Sequence, residues 1–211
     1  MRKERRNTTA LAGVILLLAA TAVAQEDGGR GFYSDVNLGA SFVQSTTVKR
    51  SATLGSNQKL NFDVGLRLDV AFGAQFGPLA FDLETGITAN STSRIQDEFG
   101  GGDFDFYQIP FLANFYYHIP TRSRLHPFVG VGLGGVGTIL ENHDLFFGTS
   151  DDAFSFGWQG IAGCTYEVWP SIDLGVVYKY LGVTERSFDS LDLKMGITHT
   201  HSVTFLVSVK F

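Results

Sequence analysis

Near the end of the chain, two histidines and a serine are the first residues whose types and spacing suggest chemistry: His199, His201 and Ser202. Glu185 or Asp192 could orient one of the histidines, which is the arrangement used in nucleophilic hydrolysis. Adjacent residues of a β-strand point to opposite faces, however, so His201 and Ser202 would diverge. We therefore predict no catalytic residues, and a hydrolase that uses these side chains remains an alternative.

Two further patterns could suggest a metal or a cofactor. The acidic cluster consists of Glu141, His143, Asp144, Asp151 and Asp152. Its spacing matches no calcium-binding loop, so a solvated acidic loop is the better interpretation. The glycines between 130 and 137 alternate with apolar residues and lack the Lys-Ser/Thr of a phosphate loop. We predict neither a metal site nor a cofactor.

Charged residues also occur on the polar faces of segments in which apolar and polar residues alternate. They are Asp63, Arg67, Asp69, Asp82, Glu84, Glu167, Asp173, Lys179 and Lys210. The structural interpretation is a set of ion pairs, since an unpaired charge in a tight interior costs several kcal/mol. The alternative is a gated ion path. Because Arg67 and Glu84 flank a short turn at Gly77-Pro78, we expect a salt bridge between them.

These charges must be positioned by strands, because two-residue alternation is the main periodic feature after residue 31. Eight segments alternate in this way: 32–43, 60–76, 79–91, 104–118, 127–140, 154–168, 172–184 and 199–211. Short turns alternate with long polar loops at 44–59, 92–103, 141–153 and 185–198. The sequence therefore predicts an all-β fold, an eight-stranded antiparallel up-and-down transmembrane β-barrel.

The composition of the two strand faces favours a membrane barrel over a soluble one such as a lipocalin. The polar face combines many glycines with few, mixed charges, which suits a narrow interior filled by side chains. The apolar face places aromatic residues near strand ends, as a membrane girdle does: Tyr107, Tyr117, Tyr166, Tyr178, Tyr180 and Phe211. We expect lipid contact for Val64, Leu66, Leu68, Val176, Phe205 and Val207, and luminal positions for Arg67, Glu84, Lys179 and Lys210.

The first residues predict export. Four basic residues precede an apolar run at 11–20, and Ala22 and Ala24 suit a signal peptidase. We therefore divide the chain into a signal peptide (1–24), a short periplasmic segment (25–31) and a barrel (32–211). The chain from Gln25 onward keeps 12 Lys+Arg and 20 Asp+Glu, a formal charge of −8, which does not suit nucleic-acid binding. The single cysteine, Cys164, cannot form an internal disulfide.

Three stretches carry a family resemblance: HPFVGVGLG at 126–134, FGWQGIAGCTY at 156–166 with DLGVVYKYL at 173–181, and the final strand ending in Phe211. On these stretches the chain resembles the outer membrane β-barrel family, the small barrels related to outer membrane protein A and the opacity-type antigens. The resemblance implies a Gram-negative outer membrane, contact with its lipids, and insertion by the barrel insertion machinery. It also implies that Val207, Val209 and Phe211 form the assembly signal which that machinery reads.

The function that we expect is non-enzymatic. The barrel would contribute to envelope integrity, or display its long loops to an extracellular ligand that the sequence does not identify. Two alternatives remain open: a narrow, low-conductance pore, and a lipid A-modifying barrel enzyme.

Overall fold

The computed structural model describes residues 30–50, 58–93, 104–142, 150–188 and 193–211. Within these ranges the chain forms twelve β-strands. They are β1 (Arg30–Val43), β2 (Thr46–Arg50), β3 (Gln58–Phe62), β4 (Gly65–Phe76), β5 (Leu79–Ser93), β6 (Phe104–His118), β7 (Leu125–Asn142), β8 (Ser150–Trp169), β9 (Ile172–Val183), β10 (Arg186–Phe188), β11 (Leu193–Met195) and β12 (Thr198–Lys210). In the described ranges, no helix has the length and apolar character needed to cross a membrane.

Eight of these strands form a closed barrel: β1, β4, β5, β6, β7, β8, β9 and β12. Each is antiparallel to the next, and β12 returns to pair with β1 from Val43↔Thr200 to Tyr33↔Lys210. Closure leaves no unpaired edge, which is what a sheet needs in hydrocarbon. The predicted eight-stranded antiparallel barrel is confirmed.

Four short strands lie in segments that the sequence assigned wholly or partly to loops. β2 and β3 lie mainly in the predicted loop 44–59, and β10 and β11 lie in the predicted loop 185–198. They join in the order β10-β11-β2-β3-β5, because closure of β1 on β12 brings these two connections together. We call this group the loop-end sheet. The predicted strand 60–76 is accordingly two strands, interrupted at 63–64.

Local backbone chemistry explains the ends of the barrel strands. Gly77, with a φ of 60°, and Pro78 form the tight turn between β4 and β5. β1 begins at Arg30, two residues before the predicted start, because Arg30 and Gly31 pair with Phe76 and Gln75 of β4. Residues 30 and 31 therefore belong to the barrel, whereas the predicted signal peptide lies outside the described residues.

The facing of the strands follows the two-residue period. Val64, Leu66, Val176, Phe205 and Val207 are exposed on the outer surface, and the alternation of β4 places half-exposed Leu68 there too. Arg67 and Lys179 are buried inside. This arrangement is apolar outside and polar inside, as in a membrane barrel, and it excludes the lipocalin-like alternative.

Candidate functional site: the luminal charge cluster

The nine charged residues predicted to face the lumen separate into groups at different heights. Arg67, Asp69, Glu84 and Lys179 meet in the middle of the barrel, and we call them the central cluster. Asp82 joins it through Asn114, as described below. Asp173 and Lys210 form a separate pair near the short-turn end, with Oδ2 and Nζ 2.6 Å apart.

Two of the predicted residues lie away from the lumen's centre. Glu167 is at the short-turn rim, where its Oε2 is 3.8 Å from His126 Nε2. Asp63 is exposed at the break between β3 and β4, and its place in the luminal network remains a prediction. Its backbone carbonyl accepts a hydrogen bond from Asn90 Nδ2 at 2.9 Å, which fixes this break against β5.

The central cluster is a closed set of four ion pairs. Arg67 Nε is 2.7 Å from Asp69 Oδ2, and Arg67 Nη2 is 2.9 Å from Glu84 Oε1. Lys179 Nζ reaches the same two carboxylates, at 3.0 Å from Asp69 Oδ2 and 2.8 Å from Glu84 Oε2. All four side chains are at most 2% exposed. Two cations therefore face two anions away from solvent, an arrangement that is costly unless every charge is paired.

The strand register brings these side chains together. Arg67 and Asp69 are two residues apart on β4, so both point inward. On β5, Glu84 is opposite Ala71, one inward position from Asp69. Lys179 comes from β9, which is three strands away from β4 around the ring through β1 and β12. It therefore reaches the carboxylates across the lumen rather than along a hairpin.

Uncharged polar residues extend the cluster to other strands. Gln159 Nε2 on β8 donates to Asn114 Oδ1 on β6 at 2.8 Å. Asn114 Nδ2 in turn donates to Asp82 Oδ1 at 2.8 Å and to Glu84 Oε2 at 3.1 Å. Tyr33 on β1 donates its hydroxyl to Asp82 Oδ2 at 3.3 Å. The network thus connects β1, β4, β5, β6, β8 and β9 through the centre of the barrel.

Glycine at position 132 on β7 makes room for the bond between Gln159 and Asn114. A Cβ added to Gly132 would collide with Asn114 Oδ1 and lie 2.9 Å from Gln159 Cγ. Gln159, Asn114 and Tyr33 are not among the residues predicted for the luminal network. Their signal in the sequence is an inward polar side chain on a strand whose other face is apolar, whereas the prediction rested on charged residues alone.

Towards the short-turn end, an apolar layer follows the cluster. Its buried residues are Tyr33, Ala80, Tyr116, Phe128, Ile161, Val177 and Leu206. Beyond it, a cleft of about 400 Å³ includes His118, His126 and Lys210 in its lining. The interior is therefore not uniformly polar, because the aromatic rings fill space that the inner glycines leave open.

The histidines of the final strand lie on the outer face. His201 Nδ1 is hydrogen-bonded to the Tyr178 hydroxyl at 2.6 Å, and His199 Nδ1 to the Tyr180 hydroxyl at 2.7 Å. Ser202 is fully buried in the lumen. His201 and Ser202 therefore lie on opposite sides of the barrel wall and form no catalytic pair. Of the acidic cluster at 141–152, His143 and Asp144 lie outside the described residues, whereas Glu141 lies on β7 and Asp151 and Asp152 lie on β8.

The three residues of the suggested assembly signal line the outer face of the last strand. Val207 is exposed, and Val209 and Phe211 are half-buried. Phe211 also closes the barrel seam, since its backbone N–H donates to the Phe32 carbonyl at 3.0 Å and its carbonyl accepts from Phe32 at 3.1 Å. Its recognition by an insertion machinery remains a prediction.

Comparison with known proteins places this geometry in context. A family model described as the outer membrane protein beta-barrel domain matches residues 10–211. The chain is similar to the solved structure of neisserial surface protein A, with 22% identity, coverage of 87% of this chain and 100% of that chain, and a TM-score of 0.55. For OprG from Pseudomonas aeruginosa, the identity is 14%, the coverage is 87% of this chain and 97% of that chain, and the TM-score is 0.54. For the outer membrane protease OmpT from Escherichia coli, the identity is 8%, the coverage is 89% of this chain and 99% of that chain, and the TM-score is 0.50.

No match was found among curated proteins. At these identities the similarity to solved structures shows the fold alone.

Proposed function

The chain belongs to the outer membrane protein β-barrel domain family, and we propose that it acts as an occluded, non-enzymatic barrel of the bacterial outer membrane. Its location and fold follow from the family. Its role, in this proposal, is to strengthen the envelope and to hold the long loops at the cell surface. The supporting observation is the central cluster, whose buried ion pairs cross the middle of the lumen.

Occlusion follows from the size of the barrel and from what fills it. An eight-stranded barrel has an interior about wide enough for side chains. Arg67, Gln159 and Lys179 are among its largest fully buried side chains. Because the network connects six strands, an opening would require several buried hydrogen bonds to break together. The same cross-connections would stiffen the barrel against deformation in the membrane.

The narrow pore is the second candidate, and specific features favour it. The lumen is polar on the loop side of the cluster, where Thr88, Thr138 and Ser202 are buried. On the other side the cleft of about 400 Å³ opens towards the short turns. In a pore, ions would have to pass the central cluster between these two regions.

Planar-bilayer conductance distinguishes the two candidates. We expect the chain beginning at Gln25 to insert without conductance steps. The double variant E84A/K179A removes one anion and one cation from the cluster, and we expect it to show small, stable steps. The matched control D173A/K210A makes a similar change at the short-turn end and should remain closed. Stable steps from the unsubstituted protein would contradict occlusion, and a silent E84A/K179A would show that the cluster is not what occludes the lumen.

The envelope role is tested in cells. A deletion strain should become more permeable to large antibiotics, and the unsubstituted gene should restore the barrier. E84A/K179A at equal abundance in the outer membrane should restore it less completely. An unchanged barrier in the deletion strain would contradict a contribution to integrity. Lipid A mass spectra that differ between the deletion and complemented strains would favour the enzyme alternative.

A further inference from the structure

Arg186 is a buried cation at the loop end of the barrel. It lies on β10 in the loop-end sheet, and only 4% of its surface is exposed. Among the residues that the structure describes, no carboxylate forms a salt bridge with it. Burial lowers the pKa of its guanidinium to about 10, so the group is still positively charged at neutral pH. A buried charge is rarely left without a counter-ion in proteins, so the lack of one among the described residues indicates a further partner.

The contacts of Arg186 fix its orientation while leaving donors free. Nη2 donates to Thr198 Oγ1 at 2.9 Å and lies 3.2 Å from Met195 Sδ. The guanidinium carbon is 5.5 Å from the centre of the Phe106 ring. Nε and Nη1 are both buried, and neither has a hydrogen-bond partner among the described residues. A cation–π contact through the face of the ring does not satisfy N–H groups that point along the plane of the guanidinium.

A second group of polar residues lies one inward position deeper in the lumen. Gln108 Oε1 accepts a hydrogen bond from Thr200 Oγ1 at 2.9 Å, whereas its Nε2 donor has no partner in the part of the chain that the structure describes. Thr88 and Thr138 flank Gln108 in the register of β5, β6 and β7, and their buried hydroxyls also lack a partner within the described ranges.

Register relates this group to Arg186. Phe106, which contacts Arg186, is two residues from Gln108 on β6, and Thr198 is two residues from Thr200 on β12. Two residues along a strand span about 7 Å. The free guanidinium donors and the amide donor of Gln108 therefore lie at neighbouring heights of the same lumen, with hydroxyls that can also donate.

We propose that this end of the lumen binds an oxyanion group, a phosphate or a carboxylate of an external ligand. The recessed anion site consists of Arg186, Gln108, Thr88 and Thr138. Nε and Nη1 of Arg186 supply charged donors, and the Gln108 amide and the threonine hydroxyls donate hydrogen bonds to the remaining oxygens of the ligand. Donors exceed acceptors among these free groups, which fits an acceptor-only ligand and disfavours a cation. The proposal does not depend on whether the barrel conducts, because the site lies on the loop side of the central cluster.

The test uses the chain beginning at Gln25, refolded in detergent micelles and labelled with ¹⁵N-arginine. Inorganic phosphate, and acetate in a second arm, are titrated at constant ionic strength while the Nε–H signals are recorded. The variant R186K identifies the Arg186 signal by its loss. We expect that signal to shift saturably with at least one of the two anions, while the signal of exposed Arg124 at the short-turn end stays constant. Saturation by phosphate alone, or by acetate alone, identifies the preferred oxyanion.

A second measurement compares phosphate affinities from ³¹P line broadening. R186M should weaken the affinity by at least about tenfold, as expected when a charged hydrogen-bond donor is lost. The matched control R124M removes the same charge from an exposed position and should leave the affinity unchanged. If R186M does not fold, the titration of the unsubstituted protein decides. An Arg186 signal that stays constant, or that moves linearly together with the exposed arginines, overturns the proposal.

Discussion

Replacing Lys179 with methionine is the most direct test of the central cluster. Methionine keeps the apolar stem and removes the ammonium group, which is 2.8 Å from Glu84 Oε2 and 3.0 Å from Asp69 Oδ2. At an effective dielectric constant of about 20, these contacts represent gross attractions of about 6 and about 5.5 kcal/mol. Relief of the ammonium's desolvation and of its repulsion with Arg67 offsets part of that loss. We expect a net decrease of about 3–5 kcal/mol in the free energy of unfolding, because two buried carboxylates would then share one guanidinium.

The assay is urea unfolding of the refolded chain in phosphatidylcholine vesicles, followed by the fluorescence of Trp158 and Trp169. Adding E84Q to K179M removes the excess negative charge, so the double variant should recover about 1–3 kcal/mol relative to additive losses. The control K210M breaks the Asp173–Lys210 pair, whose lysine side chain is 34% exposed. That variant should lose clearly less than K179M, because only one carboxylate loses its partner and the lysine of the pair is partly solvated.

Two outcomes would refute this reasoning. A loss below about 1 kcal/mol for K179M would mean that solvent or a rearranged neighbour compensates the carboxylates, so that the lumen is not sealed at this height. Equal losses for K179M and K210M would mean that burial does not distinguish the two lysines. Recovery in the double variant is the decisive signature, because a merely disruptive substitution would not be rescued by removing a second charge.

Four further predictions concern export, facing, packing and assembly. N-terminal sequencing of outer-membrane material should give Gln25 as the first residue, and retention of the apolar run at 11–20 would contradict the predicted cleavage. Leu68→Arg should cost about 2–4 kcal/mol in unfolding experiments in vesicles, against about 0–1 kcal/mol for Leu125→Arg near the short turns; equal costs would place Leu68 away from the bilayer centre. Gly132→Ala should lower the free energy of unfolding in urea by about 1–3 kcal/mol, because the added Cβ would displace the Asn114 amide, which hydrogen bonds hold in place. An unchanged free energy of unfolding would show that the network can rearrange to accept the methyl group. Phe211→Ala keeps the backbone pairing with Phe32 and should impair insertion in cells more than refolding in detergent; equal losses would make Phe211 a packing residue.

Local patterns in the sequence were sufficient for the eight barrel strands, their facing and one ion pair. Alternation has a fixed period of two, so the outward positions of Leu66 and Phe205 follow from neighbouring residues alone. The Arg67–Glu84 contact was also predictable, because a two-residue turn at Gly77-Pro78 fixes the register of the hairpin that carries both side chains.

The break at Asp63 and the four short strands were not predictable in the same way. β11 pairs with β2, about 145 residues earlier in the chain, only because barrel closure places their connections side by side. Arg186 was overlooked for this reason. In the sequence it is one charge in a polar loop, and its burial against Phe106 arises only when that loop folds back over the barrel.

Tertiary structure alone decided which inward charges meet. Lys179, Asp173 and Lys210 all occupy inward-facing positions of their strands. Lys179 nevertheless reaches Asp69 and Glu84, whereas the other two pair near the short turns. The two-residue alternation determines the face of the strand on which a side chain lies, but the height of a residue relative to a distant strand depends on the stagger at which the barrel closes. That stagger is set by hydrogen-bond registers summed around the ring. The alternation of the sequence therefore determined an inward-facing lysine at position 179, and the closed barrel determined which carboxylates it neutralises.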